Sequence, residues 1–206
     1  MSSARQFYDR YWKDPNAAPP AHDPLSDRRL QMFLPLLAPG SRVLEVGCGA
    51  GLQTRRLLEH ARVIGLDISP LAVAAARQAV PRGRWACAAV DTGLPFAAES
   101  FQAIYCCEVI EHVLDVNQAL REMRRVLAPG GLLFLSTPYH GVAKNLALAL
   151  FGFERHFDPG GPHIRFFTVR SLTELLRESG FRVDGVRRLG RFWPVWMNMV
   201  AWAQAL

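Results

Sequence analysis

The chain has 206 residues, half of them hydrophobic and a fifth charged, with 24 Lys+Arg against 18 Asp+Glu for a formal charge of +6. These values suit one compact domain with a full core and argue against a disordered chain or a repeat array. Only Lys13 and Lys144 are lysines, so the basic surplus is almost all arginine, scattered without a tract and enriched from Arg155 onward. A mildly basic face follows, with an anionic substrate or membrane surface as the alternative reading.

Two helical patterns open the chain, at 4–13 with Phe7, Tyr8, Tyr11 and Trp12, and at 24–38 with Leu30, Phe33, Leu34 and Leu37. Pro15, Pro19, Pro20 and Pro24 make the connection between them irregular. From Arg42 short apolar runs alternate with helices, the signature of stacked βαβ units. Strands are predicted at 42–46, 62–67, 84–90, 101–107 and 132–136, with helices at 51–60, 70–80, 109–127 (broken near Asp115) and 169–179. Ser69-Pro70 marks a helix start, Pro129-Gly130-Gly131 a stop, and Thr168 and Gly180 bracket the last helix. Segments 181–190 and 197–204 read as a closing hairpin. The expected fold is a doubly wound, Rossmann-like α/β sheet of seven mostly parallel strands, ending in an antiparallel hairpin. Helices 1–38 form an N-terminal cap. Residues 138–167 are a lid or substrate insertion, because a strand-to-helix connection ordinarily needs only about two to six residues.

Val43-Leu-Glu-Val-Gly47-Cys-Gly49-Ala-Gly51 runs from a buried strand through glycines into a helix, whose first N–H groups are free to meet a ligand. A dinucleotide fingerprint needs its third glycine at position 52, which is Leu52, and no Gly-Lys-Ser/Thr follows. Nicotinamide and nucleoside triphosphate readings are thereby weakened. Asp67 ends the second strand, where a carboxylate can accept both hydroxyls of a ribose, and Asp91 follows the third at the rim of an adenine pocket. An adenosine-bearing ligand without a pyrophosphate fits this pattern.

Through VLEVGCGAG, GLDIS, VDTGLPF, CEVIEHV, LAPGG and STPY, residues 40–185 resemble the class I S-adenosylmethionine-dependent methyltransferases, and in particular the ubiquinone-pathway O-methyltransferases. The resemblance implies that Glu45, Gly47, Gly49 and Gly51, with Cys48 in the same loop, line the methionine part of the cofactor. It places Asp67 and the adjacent Ile68 at the ribose, Asp91 and Thr92 at adenine, and Cys107 beside the sulfonium. Leading segments in this superfamily commonly fold over the cofactor, which makes Tyr8, Tyr11 and Trp12 expected lid contacts. The fourth strand ends in Cys-Cys-Glu rather than the Asn/Asp-Pro-Pro-Tyr of amino-group methyltransferases, so exocyclic-amine acceptors are disfavoured.

Glu108, Glu111 and His112 fall at i, i+3 and i+4, one face if the segment is helical. Three readings stand open. With His163 the three bind a divalent metal such as Mg²⁺, a reading shared with the ubiquinone-pathway enzymes and with those that methylate the terminal 2′-hydroxyl of small RNAs. Alternatively His112, His140 or His163 is a metal-free general base. In the third reading the acids favour a helix N-terminus and His112 is packed in the core. Tyr139 and Lys144 are candidates for orienting an acidic or phenolic acceptor and Arg165 for an anion; His22 and His60 have no supporting pattern. Phe192, Trp193, Trp196 and Trp202 suit edge packing, a dimer face or an apolar substrate.

The expected protein is an enzyme that methylates a hydroxyl on a small, partly apolar molecule. A metal-dependent RNA 2′-O-methyltransferase and a non-catalytic cofactor-binding protein are the alternatives. RNA is disfavoured because no dense basic, aromatic-interleaved groove is visible, and DNA is not expected. No stretch approaches the ~20 apolar residues of a membrane span, and the opening residues lack a signal-peptide core. With Cys48, Cys87, Cys106 and Cys107 lacking a CxxC spacing, a cytoplasmic monomer or homodimer with free thiols is expected.

Overall fold

The computed structural model describes residues 3–13, 23–156, 161, 163–193 and 195–206. Pro15, Pro19, Pro20 and His22, named above, lie outside these. Helix α1 spans Ser3–Tyr11, and α2, Pro24–Phe33, is continued by a 3-10 turn at Leu34–Leu36. Then follow β1 (Arg42–Val46), α3 (Leu52–Leu57), β2 (Arg62–Asp67), α4 (Pro70–Ala79), β3 (Arg84–Cys87) and β4 (Phe101–Cys107). A 3-10 turn at Ile110–His112 leads into α5 (Val116–Val126), β5 (Leu127–Pro138), α6 (Val142–Phe151), α7 (Phe153–His156), α8 (Val169–Glu178), β6 (Phe181–Leu189) and β7 (Asn198–Ala205).

Local chemistry explains the boundaries. The Asp23 carboxylate accepts the Leu25 and Ser26 amides with Pro24 opening α2, and Ser69 accepts the Leu71 amide before Pro70 opens α4. Asp115, where a break was expected, caps α5 by accepting the Gln118 amide. Thr168 and Ser171 form a reciprocal capping box on α8, and Gly180 follows it with a left-handed φ of 83°.

The seven strands pair in the order β3-β2-β1-β4-β5-β7-β6. The first five are parallel, while β7 runs antiparallel to both β5 and β6. The strand order reverses between β1 and β4, so a crevice opens at their carboxyl ends. Alternation along the strands feeds a core on each face. Leu44, Val46, Leu66, Ile104 and Leu135 pack with Leu120 and Met123 of α5 and Leu172 and Leu176 of α8 on one side. Val43, Val63, Tyr105 and Phe134 pack with Leu30, Phe33 and Leu57 on the other. Tyr105 and Phe134, register partners on β4 and β5, stack with centroids 5.6 Å apart. Helix α5 buries Val116, Ala119, Leu120, Met123 and Val126 along one stripe. Each larger apolar side chain so buried contributes about 1.5–3 kcal/mol before the entropy of ordering it is subtracted.

The architecture is the one expected, with local departures. The helix expected at 24–38 is regular only to Phe33, and β5 starts at Leu127 rather than 132, so Pro129-Gly130-Gly131 lies within the strand instead of ahead of it. Strand β3 stops at Cys87 rather than 90, because the chain turns once the Ala88 amide has met the Asp67 carbonyl. Helix α3 ends at Leu57, three residues before the expected His60. The segment 109–127 is not one helix: Glu108 has φ 57°, the next turn is 3-10, and the regular helix begins only after Asp115. The insertion after β5 holds the two helices α6 and α7, which had no separate prediction.

Candidate active site

The crevice is a cleft of about 440 Å³ at the carboxyl ends of β1, β2 and β4. Its floor starts at the glycine loop. The amides of Gly47 and Cys48 both donate to the Leu66 carbonyl, at 2.8 and 2.9 Å, which turns the chain sharply across the tip of β2. Gly47 has φ +74°, and a Cβ there would lie 2.4 Å from Val109 Cγ2, so only glycine fits this bend. Asp67 ties the same corner together: Oδ2 accepts the Gly49 amide at 3.0 Å and Oδ1 the Ser69 amide at 2.9 Å. Burial pushes its carboxyl upward, and those amides oppose the shift.

Helix α1 covers this floor. Ser69 Oγ donates to Asp9 Oδ1 at 2.9 Å, pinning α1 to the start of α4, and the Trp12 ring lies against Gly49. Tyr8, Tyr11 and Trp12 consequently line the cleft together with Gly47, Gly49, Asp67 and Ile68. Asp91 also lines it, its Oδ2 accepting the Asp115 amide at 3.3 Å, beside the apolar Ala88 and Val90.

Other sequence-predicted residues stand one layer back. Glu45 is buried beneath the loop, where Thr54 Oγ1 donates to its Oε2. Burial raises its carboxyl to about 8, against the lowering effect of that hydrogen bond. The unfolded chain loses this proton near 4.5 and the folded one near 8, so Glu45 removes stability progressively as pH rises between them. Glu45→Gln is expected to flatten that slope, by up to about 1.4 kcal/mol per pH unit. Thermal melts at pH 5 and pH 8 check this, the variant gaining on the parent only at the higher pH. Cys48 is buried in the loop, Gly51 packs on Trp85, Thr92 Oγ1 donates to the Ala89 carbonyl at 3.3 Å, and none of the three lines the cleft. Cys107 also sits behind it, and burial pushes its thiol up to about 12.

The expected single face of Glu108, Glu111 and His112 is divided: Glu108, at a left-handed φ, lines the cleft with His112, but its carboxylate is taken up by partners on other elements. Glu108 Oε1 accepts from Ser136 Oγ and Asn198 Nδ2, both at 2.7 Å, and lies 3.4 Å from Arg29 NH1. The anchor Arg29 is itself buried on α2 and holds Asp23 at 3.0 Å. Arg29, Ser136 and Asn198 went unremarked in the sequence, since no periodicity links residues 90 positions apart. Glu111 is fully buried; its Oε2 accepts from Thr137 Oγ1 at 3.2 Å while Oε1 has no hydrogen-bond partner.

The Glu111 carbonyl accepts the amides of Ile164 and Arg165, and Arg165 spends its guanidinium on the carbonyls of Val113 and Leu114 rather than on an outside anion. This lays residues 163–165 beside the turn and sets the His163 ring 4.8 Å from the His112 ring. Ligand atoms of Glu111, His112 and His163 then lie within 4.8 Å of one another, a grouping that does not include Glu108. Burial, reinforced by the Glu108 charge, raises the Glu111 carboxyl, and burial lowers His163.

His140, by contrast, does not line the cleft. It is 3% exposed, its Nδ1 is 3.2 Å from Asn145 Oδ1, and burial lowers it to about 4. Lys144 Nζ donates to the Tyr139 carbonyl at 2.7 Å, and Arg188 stacks over the Tyr139 ring, so both predicted orienting residues have structural partners.

A family profile described as "Methyltransferase domain" matches residues 44–135, from β1 into β5. Among solved structures, the N-methyltransferase NodS from Bradyrhizobium japonicum WM9 in complex with S-adenosyl-L-homocysteine superposes with a TM-score of 0.73 at 19% identity, over 99% of each chain. A putative methyltransferase bound to the Haloferax volcanii activator Trm112 superposes at 0.74, over 98% of this chain and 97% of that one, at 19% identity. The class is thus that of the S-adenosylmethionine-dependent methyltransferases. Sequence relatives narrow it. The ubiquinone biosynthesis O-methyltransferase of Xanthomonas axonopodis pv. citri is 34% identical over 200 residues, covering 92% of this chain and 82% of the relative. That of Cereibacter sphaeroides strain KD131 is 34% identical over 188 residues, covering 87% and 72%. The chain belongs to this O-methyltransferase family and is an S-adenosylmethionine-dependent enzyme.

Proposed function

We propose that the enzyme methylates a hydroxyl of a small, partly apolar acceptor, with Glu111, His112 and His163 holding a divalent cation. The carrying observation is the convergence of three ligand atoms within 4.8 Å: His112 and His163 line the cofactor cleft, and beside them the buried Glu111 Oε1 lies 3.8 Å from His112 Nε2 with no hydrogen-bond partner. Burial disfavours the charged form of this carboxyl, and a cation at the open Oε1 would offset that cost. When bound, such a cation lowers the pKa of a coordinated hydroxyl. Burial lowers the His163 pKa, which favours the neutral imidazole and leaves one ring nitrogen free to ligate.

In this reading Asp67 accepts both ribose hydroxyls, Ile68 lies beside the ribose, Asp91 takes the adenine edge, and Gly47 and Gly49 lie against the methionine part. Glu45, Cys48, Gly51, Thr92 and Cys107 support that binding from behind. Helix α1 with Tyr8, Tyr11 and Trp12 acts as the cap, and the segment after β5 forms the acceptor side, where Val113, Leu114 and His163 supply an apolar wall with one polar group. Of the three histidines considered as bases, His112 and His163 are in place, whereas His140 helps order the insertion. The acceptor hydroxyl releases its proton to solvent water, and its oxygen attacks the methyl carbon in line as the carbon–sulfur bond breaks, the bonding pair returning to sulfur and neutralising the sulfonium. Alignment supplies most of the acceleration, about 7–11 kcal/mol in well-oriented systems.

The four cysteines are unpaired, which suits a reducing compartment such as the cytoplasm. Among the described residues no helix is long and apolar enough to cross a membrane. Incubation with methyl-labelled cofactor and matched alkylated catechols, alkylated amines and RNA oligonucleotides tests the acceptor. O-methylated catechol is expected; label confined to amine or to a terminal RNA 2′-hydroxyl overturns the proposal.

A further inference from the structure

A second large concavity, about 750 Å³, lies at the opposite end of the sheet, where the parallel strands begin. Arg42, Arg62, Arg82 and Arg84 line it, and no aspartate or glutamate does. All four are exposed. Arg42 and Arg62 are register partners on β1 and β2, while Arg84 pairs with Ile64, two residues beyond Arg62. Their side chains therefore leave the same face of the sheet, from three neighbouring strands. Arg42 Nε reaches Gln102 Oε1 at 3.4 Å; among the described residues none of the four arginines has an ion pair. Four unneutralised guanidinium groups in one groove repel one another, and a multiply anionic partner relieves that repulsion.

The shape of the groove selects among anions. Strands about 4.8 Å apart spread the row over roughly 10 Å from β1 to β3 instead of converging it on a point. Ser100 Oγ already donates to the Ala97 carbonyl, so it adds no donor for a single phosphate. The floor is apolar, with Phe101 2% exposed and packed edge-on against Phe96 at 5.1 Å, so Phe101 presents no open ring face for a nucleic-acid base to stack on. A concave floor also fails to match a flat lipid surface. An extended polypeptide does match: its same-side residues recur about every 6.6–7 Å, its carboxylates meet guanidinium groups in forked pairs, and its apolar side chains meet the floor. Among the described residues strand β3 pairs with β2 alone, so the row ends at an edge of the sheet, a place where extended chains commonly bind.

We infer that this arginine groove is a docking site for an extended acidic segment of a partner protein, remote from the cofactor cleft. The probe is a fluorescein-labelled peptide of alternating glutamate and leucine, followed by fluorescence anisotropy at low salt. Binding is expected to weaken at least tenfold in Arg62→Glu/Arg84→Glu. A control of equal net charge, Arg28→Glu/Arg177→Glu, is expected to change it less than twofold. Calorimetric binding of S-adenosylhomocysteine, unchanged in both doubles, shows that each is folded. Equal loss in the two doubles, or no peptide binding by the parent, overturns the inference. So does stronger groove-dependent binding of tripolyphosphate, single-stranded RNA or phosphatidylglycerol vesicles.

Discussion

Asp67→Ala is expected to weaken S-adenosylhomocysteine binding by about 100-fold or more, measured by calorimetry. A hydrogen bond to a charged group is worth about 1.5–3 kcal/mol, and the proposed ribose contact makes two, which spans roughly 10²–10⁴-fold. The side chain does a second job, since its oxygens hold the Gly49 and Ser69 amides. Removing it releases the glycine loop as well as the acceptor. Asp91→Ala should cost less, about tenfold, because that carboxylate sits at the rim, where it accepts the Asp115 amide. Parent-like affinity in Asp67→Ala would remove the ribose assignment and with it the placement of the whole cofactor.

The other large effect concerns turnover. Glu111→Gln is expected to lower kcat by about 10²-fold or more while S-adenosylhomocysteine affinity stays near that of the parent, because Glu111 is buried beside His112 and His163, which line the acceptor side of the cleft. The parent should lose activity on chelation and regain it with Mg²⁺ or Mn²⁺; the variant should show little response to either. Unfolding cannot produce this pattern. The Glu111 carboxyl is raised by burial and by Glu108, so the unfolded chain ionises first as pH rises above about 4.5, and the native state loses stability through that range. A neutral glutamine escapes that penalty, so the variant should melt no lower than the parent at pH 8. Activity that survives exhaustive chelation would sink the metal role and leave His112 or His163 as a metal-free base.

Much of the candidate site is written in short segments whose meaning is local. The run Val43–Gly51 carries its own strand, bend and helix start, because Gly47 and Gly49 take left-handed φ values that most other residues resist. Asp67 is legible for the same reason: it is the last residue of a run that can only be a strand in this context. The helix limits at Ser69-Pro70, Asp115 and Thr168 follow from side chains bonding amides two or three residues away. The turn holding Glu111 and His112 was harder to read. Its residue spacing fits a regular helix, but the backbone is set by long-range partners that spacing does not encode.

By itself, then, the amino-acid order determined the alternation of strands and helices, the glycine bend and the acids at two strand tips, since each depends on contacts within a few residues. Tertiary structure alone decided that Arg29, Ser136 and Asn198 claim Glu108, that His163 comes beside His112 while His140 turns inward, and that α1 lies over Gly49. It also gathered four strand-start arginines into one groove. Those outcomes depend on which distant groups can satisfy a buried charge or fill a space, and that is settled only when the sheet and its helices pack.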